Sequence, residues 1–161
     1  MPQDAPYVAV VGGGDAEAEA CAAAEEIGRE LARRGAVVVC GGLGGAMEAA
    51  CRGAREEGGT TIGILPGADR RDANPWVSIA IPTGLGELRN GLVVRAGDAV
   101  VAVGGEFGTL SEIGFALKLG RPVVGLTTWA LARRGEPVTN AIVVADDPVA
   151  AAARAVELAR A

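Results

Sequence analysis

The sequence contains no histidine. This absence excludes histidine-based catalytic triads, imidazole metal ligands and the side chain that most often acts as a general base near neutral pH. Lys118 is the only lysine. Because it lies near the end of a predicted helix, away from the predicted ligand edge, an enzyme that holds pyridoxal phosphate through a lysine is disfavoured. Acid–base chemistry would therefore fall to carboxylates, Arg, Tyr7, the thiols or the substrate.

Aromatic residues make up 3% of the chain, and the net charge is −5. Nucleic-acid sites are usually basic, and single-strand sites rely on aromatic stacking, so both are disfavoured. No run reaches the roughly 18 apolar residues of a membrane span, and the first residues lack a targeting pattern. Three cysteines without a CxxC pair indicate reduced thiols and a cytoplasmic protein, with Cys40 in the core.

The 161 residues are expected to form one domain, 1–161, in which short apolar runs alternate with helical patterns. Continuous apolar strands separated by helices are typical of a parallel sheet covered on both faces. We therefore predict a doubly wound α/β fold with a mostly parallel sheet of about seven strands. The predicted strands are 7–11, 36–40, 60–65, 77–81, 98–103, 122–126 and 141–144, and the predicted helices are 15–34, 45–57, 85–96, 109–119 and 148–160. The segment 66–76 is predicted as a polar loop without a helix, and 129–139 only as a short helix or a loop.

Glycine is concentrated at one edge of this predicted sheet, where strands end and the following helices begin. Clusters follow four strands, at 12–14, 41–45, 84–86 and 104–108. Ligands bind at this edge in doubly wound folds, and backbone N–H groups at helix N-termini favour phosphate. Tight strand-to-helix turns are the alternative explanation. Neither G-x-G-x-x-G nor G-K-[ST] occurs, so dinucleotide dehydrogenases and P-loop nucleotidases are disfavoured.

Arg89 and Glu112 are expected to meet at the glycine-rich edge, on either side of the strand 98–103. Leu85, Leu88 and Leu92 recur at helical spacing and predict the buried face of their helix, with Arg89 beside it. Arg suits a bidentate grip on an anion, and a carboxylate near a ribose could stabilise charge at the anomeric carbon. Two structural alternatives remain open at this point: Arg89 could form an exposed salt bridge, and the stretch TLSE (109–112) fits a capping box.

The stretches IPTGLGELRN (81–90) and DAVVAVGGEFGTLSEIGFALKLGRPVVGL (98–126) resemble a Rossmann-like superfamily. That superfamily holds the molybdenum cofactor carrier proteins and the Lonely Guy cytokinin-activating enzymes, and it has been labelled "lysine decarboxylase-like". The Lonely Guy resemblance implies a phosphoribohydrolase that cleaves nucleoside 5′-monophosphates. In that case the catalytic pair would be Arg89 and Glu112.

The sequence departs from the Lonely Guy pattern at three positions. Gly104 stands where those enzymes have Pro, Glu106 replaces their second glycine, and Asn90 follows the Arg where they usually have Lys. The last two changes add a negative charge and remove a positive one beside the expected phosphate site, and both favour the carrier branch. The carrier resemblance also includes TIGILPG (61–67), ANPW (73–76) and TG-x-G-x-x-RN (83–90). It implies binding of a phosphate-bearing pterin cofactor at the same edge, without established hydrolysis.

The sequence thus predicts a binding protein for a phosphorylated nucleotide or pterin ligand. The alternatives are the phosphoribohydrolase and a scaffold that only regulates a partner. No cofactor is expected to be required, with the molybdenum cofactor as the possible bound ligand. No metal is expected, since Asp69 and Asp72 suit a solvated loop. Relatives imply a homodimer or homotetramer, which the Ala-rich helix around 45–54 would suit. The predicted ligand-binding residues are Gly13, Gly14, Asp15, Gly41, Gly42, Gly44, Gly45, Thr83, Gly84, Arg89, Asn90, Gly104, Gly105, Gly108, Thr109 and Glu112.

Overall fold

The structure, a computed structural model, describes residues 4–161. Its strands are runs rich in Val, Ile and Ala, because branched apolar side chains pack well on a pleated surface. In chain order the elements are β1 (Tyr7–Gly12), α1 (Ala18–Arg33), β2 (Val37–Cys40), α2 (Ala46–Glu56), β3 (Thr61–Leu65), a 3₁₀ turn (Arg70–Asp72), β4 (Ile79–Pro82), a second 3₁₀ turn (Gly86–Arg89), α3 (Asn90–Ala96), β5 (Ala99–Val103), α4 (Phe107–Lys118), β6 (Val123–Leu126), β7 (Ala132–Arg133), β8 (Glu136–Pro137), β9 (Val143–Val144) and α5 (Pro148–Ala159).

Seven strands form one parallel sheet in the order β4-β3-β2-β1-β5-β6-β9. The chain moves from β1 toward the β4 edge and then returns to place β5 on the other side of β1. The winding direction therefore reverses between β1 and β5, where Gly12 lies opposite Val103. Helices α1, α2 and α5 cover one face of the sheet, and α3 and α4 cover the other. The predicted doubly wound α/β class is confirmed.

The last helix and the core thiol follow the sequence closely. Asp147 caps α5, because its side chain accepts a hydrogen bond from the Ala150 N–H at 2.8 Å, and Pro148 occupies the first helical position. Cys40 is fully buried, as predicted. Its sulfur lies 3.4 Å from the sulfur of Cys51, and both thiols are free. The burial of this pair is typical of cysteines that act as small apolar residues.

The predicted helix at 85–96 is wrong in its form and in its buried face. The chain forms a 3₁₀ turn over Gly86–Arg89 before α3 begins, which changes the angular spacing of the side chains. Arg89, Asn90, Val93 and Val94 face inward. The three leucines predicted to be buried are instead exposed: Leu85, Leu88 and Leu92.

Helices α1 and α2 approach each other so closely that only glycine fits at two contacts. A Cβ atom at Gly28 would overlap the carbonyl oxygen of Ala50, and one at Gly53 would overlap that of Glu25. The small residues of α2 are therefore used within the chain. This finding removes the Ala-rich helix around 45–54 as a reason to expect an oligomer.

Two segments that the sequence left undefined adopt short local structures. Residues 66–76 contain the first 3₁₀ turn, in which the Asp69 carboxylate accepts from the Arg71 N–H at 2.9 Å. Strands β7 and β8 form a small antiparallel hairpin within 129–139. In residues 4–161 no helix combines the length and apolar character needed to cross a bilayer.

Candidate functional site

A cleft of about 790 Å³ opens beside the carboxyl ends of β1 and β5, where the winding direction reverses. This is the position at which doubly wound folds bind ligands. Ten of the predicted ligand-binding residues line it, namely Gly13, Gly14, Asp15, Arg89, Asn90, Gly104, Gly105, Gly108, Thr109 and Glu112. Its other lining residues were not among the predicted ligand-binding set: Gly12, Ala16, Glu17, Glu19, Ala20, Met47, Glu106 and Thr127.

The cluster at 41–45 does not line the cleft but shapes the loops and side chains that do. Gly41 lies directly against the Arg89 guanidinium, and its carbonyl oxygen accepts from Nη2 at 3.4 Å. Gly45 has a φ of +64°, and a Cβ there would overlap the backbone of Gly13 and Gly14. Gly42 and Gly44 are also predicted to bind ligand. Gly42 has a φ of +77° and lies against Leu65, whereas a Cβ at Gly44 would meet no atom closer than the Gly14 carbonyl oxygen at 3.7 Å. Close approach between chain segments, and not only approach by a ligand, thus requires glycine at Gly42 and Gly45.

Thr83 and Gly84 also lie outside the cleft lining. The Thr83 hydroxyl donates to the Leu65 carbonyl at 2.7 Å, and the Gly84 N–H donates to the Gly67 carbonyl at 2.9 Å. Gly84 has a φ of +66°, in the left-handed region that favours glycine. These contacts fix the loop that leads into the 3₁₀ turn, and they thereby position Arg89.

Arg89 is a buried cation held from two sides. Its side chain donates from Nη1 to the Asn90 amide oxygen and from Nη2 to Gly41. Its Nε is buried and has no hydrogen-bond partner among residues 4–161. Because burying an unsatisfied donor costs about 1–3 kcal/mol, a polar group in the cleft would offset that cost.

Asn90 connects the arginine to the start of α4. Its amide nitrogen donates to the Ser111 hydroxyl at 3.3 Å, and that hydroxyl donates to the Gly108 carbonyl at 2.7 Å. The contacts form a chain from Arg89 across α3 to the first turn of α4. The two elements that carry the predicted catalytic pair are therefore linked by side-chain hydrogen bonds.

The capping box predicted for Thr109 and Glu112 is wrong. The turn before α4 uses left-handed backbone at Gly104 and Gly105, and the helix begins at Phe107 with Glu106 as its N-cap residue. Thr109 is therefore the third helical residue and cannot be the cap. No side chain caps this N-terminus, so the first backbone N–H groups of a helix of this length are left to water or a ligand.

Glu112 is 7% exposed and has no hydrogen-bond donor among residues 4–161. Burial raises the pKa of its carboxyl from the usual 4.5 to about 7, and the positive charge of Arg89 opposes that rise. Glu112 therefore lies in the cleft close enough to Arg89 for the two charges to interact, as the predicted topology implied. At neutral pH the carboxyl is present in both protonation states, so it can either donate or accept a hydrogen bond.

A smaller cleft of about 410 Å³ adjoins the first and shares Gly104, Gly105 and Thr127 with it. Trp129 lines this smaller cleft and packs against Phe107, with ring centroids 5.7 Å apart. The Thr128 hydroxyl donates to the Gly104 carbonyl at 2.6 Å, which ties the segment after β6 to the turn before α4. No sequence motif identified this segment as part of the site, although its place after the carboxyl end of β6 puts it at the same edge of the sheet.

The fold defines the chain as a Rossmann-like α/β protein with a cleft at the reversal of winding. The sequence profile of the SLOG cluster4 family matches residues 5–152. The chain therefore belongs to the SLOG cluster4 family.

Several relatives are similar over most of their length. The molybdenum cofactor binding protein of Rippkaea orientalis shares 36% identity, with 91% of this chain and 92% of that one covered and a TM-score of 0.83. The molybdenum cofactor carrier protein of Chlamydomonas reinhardtii shares 34%, with 96% and 98% covered and a TM-score of 0.84. A protein of Archaeoglobus fulgidus is 41% identical over 120 residues, which are 74% of this chain and 78% of that protein. The superfamily resemblance stated from the sequence is confirmed.

Proposed function

We propose that this protein is a carrier that binds a phosphorylated nucleotide or pterin ligand in the main cleft. The observation that carries the proposal is the buried pair of Arg89 and Glu112. Both side chains line the cleft, both are more than nine-tenths buried, and each has a polar group without a hydrogen-bond partner among residues 4–161. Buried polar groups are normally satisfied, so a polar ligand is the expected partner.

The phosphate end of the ligand would bind at the turn before α4. Gly104 and Gly105 allow close approach of the backbone, and the first N–H groups of α4 have no side-chain cap. Free N–H groups and the positive end of the helix dipole both favour an anion at this position. Gly13 and Gly14 approach the cleft from the β1 side.

The molybdenum cofactor is the ligand we propose. Two relatives that are named for binding or carrying it align with more than 90% of this chain at TM-scores of 0.83 and 0.84. The ligand edge lies within the matched residues, so a phosphate-bearing pterin is supported by likeness as well as by the cleft. The cofactor would be cargo, and the fold does not depend on it.

A phosphoribohydrolase is the second candidate, and the pairing of Arg89 with Glu112 supports it. A charged Glu112 could stabilise positive charge at the anomeric carbon, while Arg89 bound an anionic group. Two features count against efficient hydrolysis. Burial keeps part of Glu112 protonated at neutral pH, and the extra carboxylate of Glu106 lines the same cleft.

Incubation with a panel of nucleoside 5′-monophosphates separates the two candidates. The free base would be quantified by chromatography for the wild type and for Glu112→Gln. The carrier proposal expects binding with no release of base above the buffer control. Release that disappears in Glu112→Gln would contradict it and establish the hydrolase.

A thermal-shift series tests whether the cleft binds a ligand at all, since a ligand that binds the native state raises the unfolding midpoint. The series would use nucleoside 5′-monophosphates and molybdenum cofactor released from a purified molybdoenzyme. We expect the cofactor to raise the midpoint. No shift with any of them would favour the third class, a scaffold that regulates a partner.

We also propose that the chain forms a homodimer or homotetramer in the cytoplasm. Leu85, Leu88 and Leu92 lie exposed on α3 and the turn before it. On the neighbouring α4, Phe115 is exposed, as is Leu119 directly after that helix. Exposed apolar side chains grouped on two neighbouring elements are typical of an interface. The free, buried thiols of Cys40 and Cys51 are consistent with a reducing compartment.

A further inference from the structure

The main cleft is acidic for a site that is to hold a phosphate group. The lining carboxylates are Asp15, Glu17, Glu19, Glu106 and Glu112, whereas Arg89 is the only basic residue among the lining side chains of the described chain. Two of the guanidinium nitrogens of Arg89 already donate to Asn90 and Gly41. A phosphate monoester brings a further charge of about −1.5 to −2 at neutral pH. The lining side chains do not supply the positive charge needed to balance it.

Two of these carboxylates occupy equivalent places on the two strands that flank the cleft. Gly12 of β1 and Val103 of β5 are partners in the parallel register. Asp15 lies three residues after Gly12, and Glu106 lies three residues after Val103. Both side chains are exposed in the cleft. The two loops at the reversal of winding thus each carry a cleft-lining carboxylate at the equivalent position.

We infer that the ligand binds as its complex with a divalent cation, Mg²⁺, which is shared between the ligand phosphate and the carboxylates of Asp15 and Glu106. This inference rests on the proposed function. Mg²⁺ typically keeps several waters and is bound through one or two carboxylates together with substrate phosphates. Two carboxylates on opposite loops, next to a phosphate-binding turn, match that set of ligands.

The cation arrives with the ligand and has no resident site. In residues 4–161 no group of three or more Asp, Glu or Cys side chains could hold a metal ion by itself. Independent of the carboxylates, the unpartnered Nε of Arg89 and the carboxyl of Glu112 indicate that the same cleft takes a polar ligand. The cation neutralises the mouth of the cleft while these two buried groups contact the ligand.

Calorimetric titration tests the cation directly. The probes are 5′-GMP and molybdenum cofactor released from a purified molybdoenzyme, each titrated in millimolar MgCl₂ and in EDTA. Because opposite charges within a few ångströms attract strongly in a partly buried site, Kd should be at least about tenfold lower with Mg²⁺ for the ligand that binds.

Substituting either carboxylate distinguishes a role in binding the cation from a purely structural role, because only the first predicts opposite changes of Kd in Mg²⁺ and in EDTA. Asp15→Asn and Glu106→Gln remove a ligand of the cation and also remove a charge that repels phosphate. Each should therefore weaken binding in Mg²⁺ and strengthen it in EDTA. Glu87→Gln is the matched control, since Glu87 is exposed but does not line the cleft, and it should change neither titration.

Each outcome decides one question. Equal affinity in Mg²⁺ and EDTA overturns the inference and leaves the proposed function standing. Weaker binding of Asp15→Asn and Glu106→Gln in both media also overturns it, because the carboxylates would then serve the fold. If neither probe binds in either medium, the proposed function fails and the inference fails with it.

Discussion

Arg89 depends on the missing side chain of Gly41 for the space that its guanidinium occupies. A Cβ atom at Gly41 would lie 2.5 Å from Arg89 Nη2 and 2.7 Å from the Met47 sulfur. Both atoms lie at the far ends of flexible side chains, so they can move without disturbing the backbone. A substitution at Gly41 should therefore act on the site and leave the fold intact.

We predict that Gly41→Ala weakens ligand binding by roughly tenfold or more, because hydrogen bonds to a charged group contribute about 1.5–3 kcal/mol. The unfolding midpoint without ligand should change little. Gly44→Ala is the control, since its Cβ would meet no atom closer than the Gly14 carbonyl oxygen at 3.7 Å. Equal affinities for the two variants, measured by calorimetry, would show that Gly41 does not position Arg89.

Glu112 makes stability depend on pH in a direction opposite to that of a paired carboxylate. Its folded-state pKa of about 7 lies above the usual 4.5, so the folded state holds a proton that the unfolded state has released. Stability therefore falls as pH rises from about 4.5 to 7 and levels off above that range. Burial of the charged form is the cause.

We predict that Glu112→Gln removes this loss. Relative to the wild type, the variant should gain up to about 3 kcal/mol of unfolding free energy between pH 4.5 and 8. Denaturant titrations of both proteins across that range measure the difference. A constant difference at all pH values would contradict the raised pKa.

At the scale of elements, α1 and α2 depend on contacts between backbones. Gly28 and Gly53 each face a carbonyl oxygen of the opposite helix, where no other residue fits without moving the helices apart. This contact fixes α2 and therefore the glycine turn at 41–45 that precedes it. The packing of α1 against α2 therefore also affects the cleft, because Gly45 at the start of α2 supports the loop that contains Gly13 and Gly14.

We expect Gly28→Ala to destabilise the fold by about 2 kcal/mol or more, because overpacking a rigid contact costs about 1–3 kcal/mol. Gly114→Ala is its counterpart within α4, at a position where a Cβ would meet nothing within 4 Å. That variant should be more stable by about 0.5–1 kcal/mol, because alanine favours helix over glycine. Thermal unfolding compares the two, and a stable Gly28→Ala would contradict the close helix contact.

The sequence predicted the strands and the edge at which the cleft lies better than it predicted α3 and α4. The buried parallel strands are continuous runs of Val and Ala, a pattern that is typical of strands buried on both faces of a sheet. The spacing of Leu85, Leu88 and Leu92 is the same whether a core or another chain covers it, so it could not identify the covering surface. The pattern TLSE fits a cap only if the helix begins after Thr109, and the glycine turn makes it begin earlier.

At the site, the sequence could not predict what approaches each glycine or how deeply Glu112 is buried. Clustered glycines marked the edge where the cleft lies, but glycine has no side chain that shows what approaches it. At Gly45 the approaching group is the backbone of Gly13 and Gly14, and at Gly105, which lines the cleft, it is the side chain of Thr109. The burial of Glu112 depends on the packing of α3 against α4, which no local pattern contains.

At the scale of the whole molecule, the exposed apolar surface of α3 and α4 is the feature that a single chain does not explain. Leu88 is 78% exposed, and Leu92 and Phe115 lie exposed on the two helices that pack together. A second copy of the chain would cover this surface and bury the leucines that recur at helical spacing.

We predict that Leu88→Glu lowers the assembled mass to that of the monomer, because burying an unpaired carboxylate at an interface is costly. Light scattering measures the mass. Val144→Glu is the control, since Val144 is 79% exposed on β9 and the same change there should leave the assembly intact. A wild-type protein that is already monomeric would contradict the interface.

The central claim is that the cleft between β1 and β5 holds a phosphorylated ligand without cleaving it. A crystal structure of the protein with the molybdenum cofactor tests this claim most directly. We expect an intact ligand whose phosphate accepts hydrogen bonds from the backbone N–H groups at the start of α4, with Arg89 Nε directed toward it. An empty cleft with the cofactor bound elsewhere on the surface would contradict the proposed function.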